Sequence, residues 1–170
     1  QGMNSILGVC MYVYCNEEEN HYALADAWWT FSEIVNRVRP VIPDFNMRWF
    51  NFVREDFVKK LKKTLVVYKH NLWKLLEPHI SSLSHLIMVR WIMIWFSHNC
   101  SLNDVVIIWD ALFMCEKRQL MDLYVAISVA ILSQASPTLF SVQSSEIPRY
   151  MMDYRATKPR DIILHAKSLL

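Results

Sequence analysis

Apolar residues recur at steps of three and four along nearly the whole chain, the spacing of one face of an α-helix. Met3 to Cys15 is apolar nearly all round (Ile6, Leu7, Val9, Met11, Val13), which predicts a central, buried helix. Glu17, Glu18, Glu19 and Asn20 interrupt it as a solvated loop. From about Tyr22 to Val38, the residues Ala23, Ala27, Phe31, Ile34 and Val38 share one face. Pro40 and Pro43 end that helix, because proline lacks an amide donor and disfavours helix in the residue before it. Asp44 is a candidate cap for the next helix, the clearest amphipathic one. There Phe50, Val53, Phe57, Leu61, Leu65 and Tyr68 oppose a face of Arg54, Glu55, Lys59, Lys62 and Lys63. Glu55–Lys59 and Asp56–Lys60 are spaced for ion pairs. The charged face reads first as solvated surface, with anionic lipid or an acidic partner as the alternative.

Asn71 to Glu77 reads as a short helix stopped by Pro78, and Ser81, Ser82 and Ser84 as candidate caps for Leu83 to Ser97. Ser101 followed by Asp104 resembles a capping box and opens a helix to about Cys115. Gln119 to Gln134 forms another, ended near Ser136-Pro137. Shorter helices are expected at Thr138–Gln143, Ile147–Asp153 and Asp161–Leu169. With no internal repeat and no dividing linker, residues 1–170 read as a single all-α domain of about eight helices.

Composition narrows this further. Only two glycines occur, both near the start, so a fold of tight β-hairpins is excluded. A hydrophobic share of 54% against 20% charged excludes a disordered tail. A net charge of +2 gives no electrostatic case for nucleic acid. Cys10, Cys15, Cys100 and Cys115 contain no CxxC pair and read as reduced, buried thiols of a cytosolic protein. His98 and Cys100 alone are too few for a zinc site. No apolar run approaches the ~20 residues of a transmembrane helix, since Leu86–Phe96 is interrupted by Arg90 and Leu123–Leu132 is short. Nor does any segment read as a signal peptide. No triad, carboxylate pair or ligand cluster supports a metal or thiol enzyme.

Two charges stand out because each is alone in an apolar stretch: Arg90 between Leu86 and Phe96, and Asp110 between Val105 and Met114. A buried charge without a partner costs several kcal/mol, so the pattern predicts an Arg90–Asp110 ion pair holding two helices in register. Asp26 is the competing partner. Either way the role is structural.

These residues carry a resemblance. Arg90-Trp91 followed by Trp109-Asp110-Ala111-Leu112-Phe113 resembles the RW…WDxLF signature of the TBC domain of Rab GTPase-activating proteins. Gln1-Gly2-Met3-Asn4 is similar to that family's YxQGM motif without its tyrosine. Glu17–Glu19 and Ala25-Asp26-Ala27-Trp28-Trp29-Thr30-Phe31 match its acidic loop and aromatic helix, and Tyr150–Tyr154 through Ala166-Lys167 resemble its closing helices.

The resemblance implies the C-terminal lobe of a TBC-type GTPase-activating domain. Such domains stimulate GTP hydrolysis by Rab-family GTPases in vesicle trafficking, with an arginine finger and a glutamine finger. An arginine supplied in trans to a GTPase is worth on the order of 10³–10⁵ in rate. Gln1 matches the glutamine, whose carboxamide both donates and accepts and so orients the attacking water. Gly2 would let the backbone approach closely, while Arg90, Asp110, Trp91 and Trp109 would be structural. No IxxDxxR spacing, the family's arginine motif, occurs in this sequence. The expectation is therefore a domain portion, or an arginine-less relative, with little or no activity by itself. No cofactor is implied, since GTP and Mg²⁺ belong to the GTPase. The protein is expected in the cytoplasm, peripheral to endomembranes through the Rab. The alternative is a noncatalytic helical Rab-binding or protein-interaction module. Without the preceding lobe, an apolar surface along Met3–Cys15 would be exposed and would favour self-association.

Overall fold

A computed structural model of the chain describes residues 2–15, 21–38 and 47–170. Gln1, the Glu17–Glu19 loop, Pro40, Pro43 and the expected cap Asp44 lie outside the described residues. Among those described there are nine α-helices and no strand. They are α1 (Met3–Cys15), α2 (Ala23–Val38), α3 (Met47–Tyr68), α4 (His70–Leu76), α5 (Ile80–Ile87), α6 (Leu102–Met114), α7 (Leu120–Leu139), α8 (Ile147–Asp153) and α9 (Pro159–Lys167).

The central helix is α7 rather than α1. Thirteen of the 20 residues of α7 are buried, and it packs against α3 and α9. In α1 only Ile6, Val9 and Cys10 are buried, covered by α2 and part of α6. Both helices are apolar all round, but only α7 has neighbours on every side. Burying a leucine or isoleucine is worth roughly 1.5–3 kcal/mol, so α7 carries much of the drive to fold. The segment Lys117–Leu139 is in fact long and apolar enough, by length and composition, to cross a bilayer, contrary to the sequence expectation. Within the protein 67% of its apolar window is buried, and a core helix passes the same test for that reason.

Pro137 does not end α7; it lies inside the helix. Proline cannot donate to the carbonyl four residues back, that of Ser133. The hydroxyl of Ser136 donates to that carbonyl instead, at 2.7 Å. The backbone then continues, with the Phe140 amide bonded to the Ser136 carbonyl at 3.0 Å. Pro78 likewise fails to isolate its helix: it opens a single 3₁₀ turn, Glu77–His79, that leads from α4 straight into α5. Ser81, Ser82 and Ser84 therefore sit within α5 and not before it, with Ser82 and Ser84 donating back to the His79 and Ser81 carbonyls, each at 3.0 Å.

The Ser101 cap expected at α6 is present, the Asp104 amide donating to the Ser101 hydroxyl at 3.2 Å. On α3 the core stripe Val53, Phe57, Leu61 and Leu65 is buried as its spacing requires, whereas Tyr68 is exposed. Lys60 bonds Asp122 of α7 at 2.5 Å, tying the two helices together, and not the local Asp56. The cysteines are all free; Cys10 and Cys100 are buried, but Cys15 is exposed and Cys115 half-buried.

Candidate functional site

The site expected from the sequence begins at the loop entering α1. Gly2 has φ of +93°, a conformation open to glycine and strained for other residues. A Cβ at this position would lie 2.5 Å from Cγ2 of Ile94, so there is also no room for one. The close approach that glycine permits is thus onto the protein's own framework. The Gly2 carbonyl accepts from the Ser5 amide at 3.0 Å and starts the helix.

The framework beneath Gly2 is a turn at residues 94–100. It follows a π-helical turn, Met88–Met93, that breaks the regular helix expected there. Trp95 and Phe96 both have left-handed backbone, φ 50° and 61°, yet both are fully buried. Such a conformation costs a bulky residue of order 1–3 kcal/mol, and packing must hold it in place. Trp95 stacks edge-on against Trp109 and Phe113, with centroids 5.8 and 5.4 Å away, and its carbonyl accepts from Trp109 Nε1 at 2.7 Å. Phe96 lies against Trp91 at 6.0 Å and Tyr124 at 6.1 Å. Trp91 and Trp109 therefore form the aromatic wall that fixes this turn.

Beyond it, the His98 ring and the Ser5 hydroxyl share a hydrogen bond of 2.7 Å. Desolvation, with the nearby Arg90 and Arg155 charges, lowers the His98 pKa below its ordinary value of 6.5. The ring is accordingly neutral at physiological pH. The His98 carbonyl accepts from Arg155. The Asn99 side chain, fully buried, donates to the Tyr154 carbonyl at 3.1 Å, and the Asn99 backbone carbonyl accepts from the Ala156 amide at 2.6 Å. The entry to α1, the 94–100 turn and the segment after α8 are thus joined by hydrogen bonds.

The expected Arg90–Asp110 ion pair is not formed. Arg90 donates to the Met152 carbonyl at 2.5 Å, and Asp110 is exposed on the outer side of α6. The prediction assumed two fully buried helices. Here the π-helical turn carries Arg90, which is only half-buried, and α6 keeps one face in water.

A residue the sequence reading passed over does more to hold these helices. Arg37, in the last turn of α2, donates to the carbonyls of Leu112 at 3.2 Å, Phe113 at 2.7 Å and also Cys115. Those are orphan carbonyls at the C-terminus of α6, where a cation is favoured by both hydrogen bonding and the helix dipole. Nothing in the sequence separates this arginine from a surface one. Ile94 and Asn99 gave no signal either.

Other chemistry is sparse. Burial raises the thiol pKa of Cys10 to about 11 and of Cys100 to about 12, leaving both protonated and inert. Among the described residues no group of three or more His, Cys, Asp and Glu side chains could hold a metal ion. Among the described residues, large exposed apolar side chains lie more on α2 and α3 than on α1: Leu24, Trp28 and Trp29 (the tryptophans 58% and 73% exposed) on α2, preceded by Tyr22, and Phe52, Val66, Val67 and Tyr68 on α3, against Val13 on α1.

Residues 1–140 match the family model of the Rab-GTPase-TBC domain. Among curated proteins, the chain is similar to TBC1 domain family member 13 of Homo sapiens and of Mus musculus. It is 27% identical to each over 176 aligned positions, covering 99% of this chain and 42% of the relative. The chain thus spans less than half the length of these relatives. No solved structure gives a significant match. The match over most of the chain joins the described aromatic wall and glycine-supported helix entry to one family, and the chain belongs to the Rab-GTPase-TBC domain family.

Proposed function

We propose that this chain forms the glutamine-bearing part of a GTPase-activating domain for Rab-family small GTPases. Gln1 is the glutamine finger: its carboxamide orients the attacking water and contacts the γ-phosphate, the role that a GTPase's own glutamine plays elsewhere. The observation that carries this reading is a Gly2, directly after Gln1, whose positive φ and contact with Ile94 admit no side chain, in a chain whose residues 1–140 match the family model. A finger acts through position, and a loop seated on a buried, strained turn is held before the partner arrives. GTP and Mg²⁺ belong to the GTPase, and this chain needs no cofactor of its own. An arginine contributed from outside this sequence completes the device. The setting is cytoplasmic, at endomembranes reached through the Rab.

The test is single-turnover GTP hydrolysis over a panel of Rabs, using the intact protein and this chain alone. We expect stimulation by the intact protein, its loss on Gln1→Ala by a factor of 10² or more, on the order of removing one aligned donor in a transition state, and little or none from the chain alone. Unchanged stimulation by Gln1→Ala would remove the finger assignment, and strong stimulation by the isolated chain would remove the need for an outside arginine.

The second reading is a noncatalytic Rab-binding or protein-interaction module. The exposed aromatic residues Tyr22, Trp28 and Trp29 favour it, because tryptophan and tyrosine are the residues on which interfaces most depend. It is separated from the first by binding to GTP-loaded Rab without any change in the hydrolysis rate.

A further inference from the structure

Where α3 passes the start of α7, an open groove of about 600 Å³ is lined by Lys60, Lys63, Val67, Tyr68, Val125 and Leu169, among others. Its volume is that of an ordinary small-ligand site. The α3 wall has a polarity along its length. Lys60, Lys63, Thr64, Val67 and Tyr68 follow steps of three and four on one stripe, cationic at one end and apolar at the other. The distance from Lys60 to Tyr68 along the helix is roughly 12 Å.

Two observations on this stripe call for an occupant. The carboxylate of Asp122, also in the groove, is engaged by Lys60 at 2.5 Å. Lys63 makes no ion pair among the described residues, and neither does Lys59 one turn before it. At the other end Val67 is 69% and Tyr68 54% exposed, on a helix whose core stripe lies elsewhere. A charge that is merely solvated needs no apolar neighbour in line with it. An anionic head joined to an acyl chain matches both ends at once, whereas an acidic peptide matches only the lysines.

We propose that this groove is a contact site for an anionic phospholipid of a membrane surface. The phosphate lies against Lys63, and the first part of the acyl chain lies over Val67, Tyr68 and Leu169. Tyrosine suits that depth because its ring is apolar and its hydroxyl remains in the wet interface. The site gives the protein a direct hold on the bilayer, independent of any GTPase and of the activating role proposed above.

The experiment is flotation of the purified protein with phosphatidylcholine vesicles, with and without phosphatidylserine, at low and high salt. Binding is expected only to the vesicles with phosphatidylserine and is weakened by salt. Each lysine near an anionic surface is worth about fivefold in binding, so Lys63→Glu should weaken it by about 25-fold. Arg149→Glu makes the same change in net charge on exposed α8, away from the groove, and should weaken binding far less. Val67→Ser and Tyr68→Ser should each weaken binding by several fold with the charge unchanged. All the substituted positions are exposed, and an unaltered melting temperature verifies the fold; Lys63→Gln, expected at about fivefold, replaces any variant that melts early. The proposal is overturned by absent vesicle binding, by equal effects of Lys63→Glu and Arg149→Glu, or by indifference to Val67→Ser and Tyr68→Ser. Binding of polyglutamate in place of vesicles, with the same dependence on Lys63, would assign the groove to an acidic protein and overturn it too.

Discussion

The slab formed by α3, α7 and α9 and the hairpin formed by α1 and α2 are attached to the molecule in different ways. In the slab, apolar burial dominates, with the Lys60–Asp122 pair as a surface tie: α7 has side chains from Leu120 to Leu139 in the core on all its faces. The hairpin buries Ile6, Val9, Ala27 and Ile34, but along its edges it is fastened by hydrogen bonds to other elements. Tyr12 donates to Asn103 at 2.5 Å, Ser5 meets His98, and Arg37 closes the end of α6. An element held by burial resists opening because it must expose apolar area to water. One held at its edges by directional contacts can be repositioned at a cost of a few kcal/mol or less. Gly2, next to the proposed finger, leads into the second kind of element, so directional contacts and not enclosure hold its position.

The comparison is broken first by a core truncation. Leu132→Ala in α7 is expected to destabilise the protein by about 2–5 kcal/mol, measured by urea denaturation. Val13→Ala, on the half-covered helix α1, should change stability by no more than about 0.5 kcal/mol. Equal costs would mean that α1 is as firmly enclosed as α7.

Arg37→Ala sharpens the contrast. It removes charged hydrogen bonds to the end of α6 and should cost about 1.5–3 kcal/mol. The loss should be local: hydrogen exchange in α1 and α2 should rise well before that of α7. A uniform rise in exchange would show that the hairpin and slab open as one unit. Gly2→Ala should cost less, about 1–2 kcal/mol from the left-handed backbone, with further strain where Cβ meets Ile94. Its larger effect should be on GTPase activation by the intact protein, since it displaces the neighbouring Gln1. Full retention of that activity would show that the junction does not position the finger.

How much of this could be read from the chain depended on the range of the interactions. Helix positions were legible because periodicity and caps are local; the Ser101–Asp104 cap is an instance. Pro137 misled because the rule for proline assumes that the freed carbonyl stays orphaned, whereas the adjacent Ser136 satisfies it. Centrality was also misread. Hydrophobicity on all faces shows that α1 needs cover, but not whether this part of the fold supplies it. Arg90 and Asp110 misled for a related reason, since isolation in an apolar run does not fix which way a side chain faces: a π-turn carries Arg90, and Asp110 lies on the wet face of α6. At the site, Gly2 was legible as a position needing glycine, while its partner Ile94 lies 92 residues away and carries no mark in sequence. Arg37 reaches the end of α6 across a similar separation. These are tertiary facts, and no local pattern encodes them.

The smallest expected effect concerns pH and tests the polar fastening of the hairpin most directly. Burial and the charges of Arg90 and Arg155 hold the His98 pKa below 6.5, so the folded protein binds a proton there less readily than the unfolded chain. Above about pH 6.5 the ring is neutral in both states and makes no pH-dependent contribution. As pH falls from there toward the lowered folded value, the unfolded chain takes up the proton first. Stability therefore declines over that window, and the decline stops once the folded ring is also protonated. The Ser5 contact responds in the same range: a neutral ring can accept from the hydroxyl, while a protonated ring can only donate to it. His98→Gln keeps a polar side chain but removes the titration. Stability measured against pH should show the wild type losing a small increment below about pH 6.5 that the variant does not lose. An increment of opposite sign would mean that the charged ring is favoured in the folded state, and that the contact with Ser5 outweighs both burial and two nearby arginines.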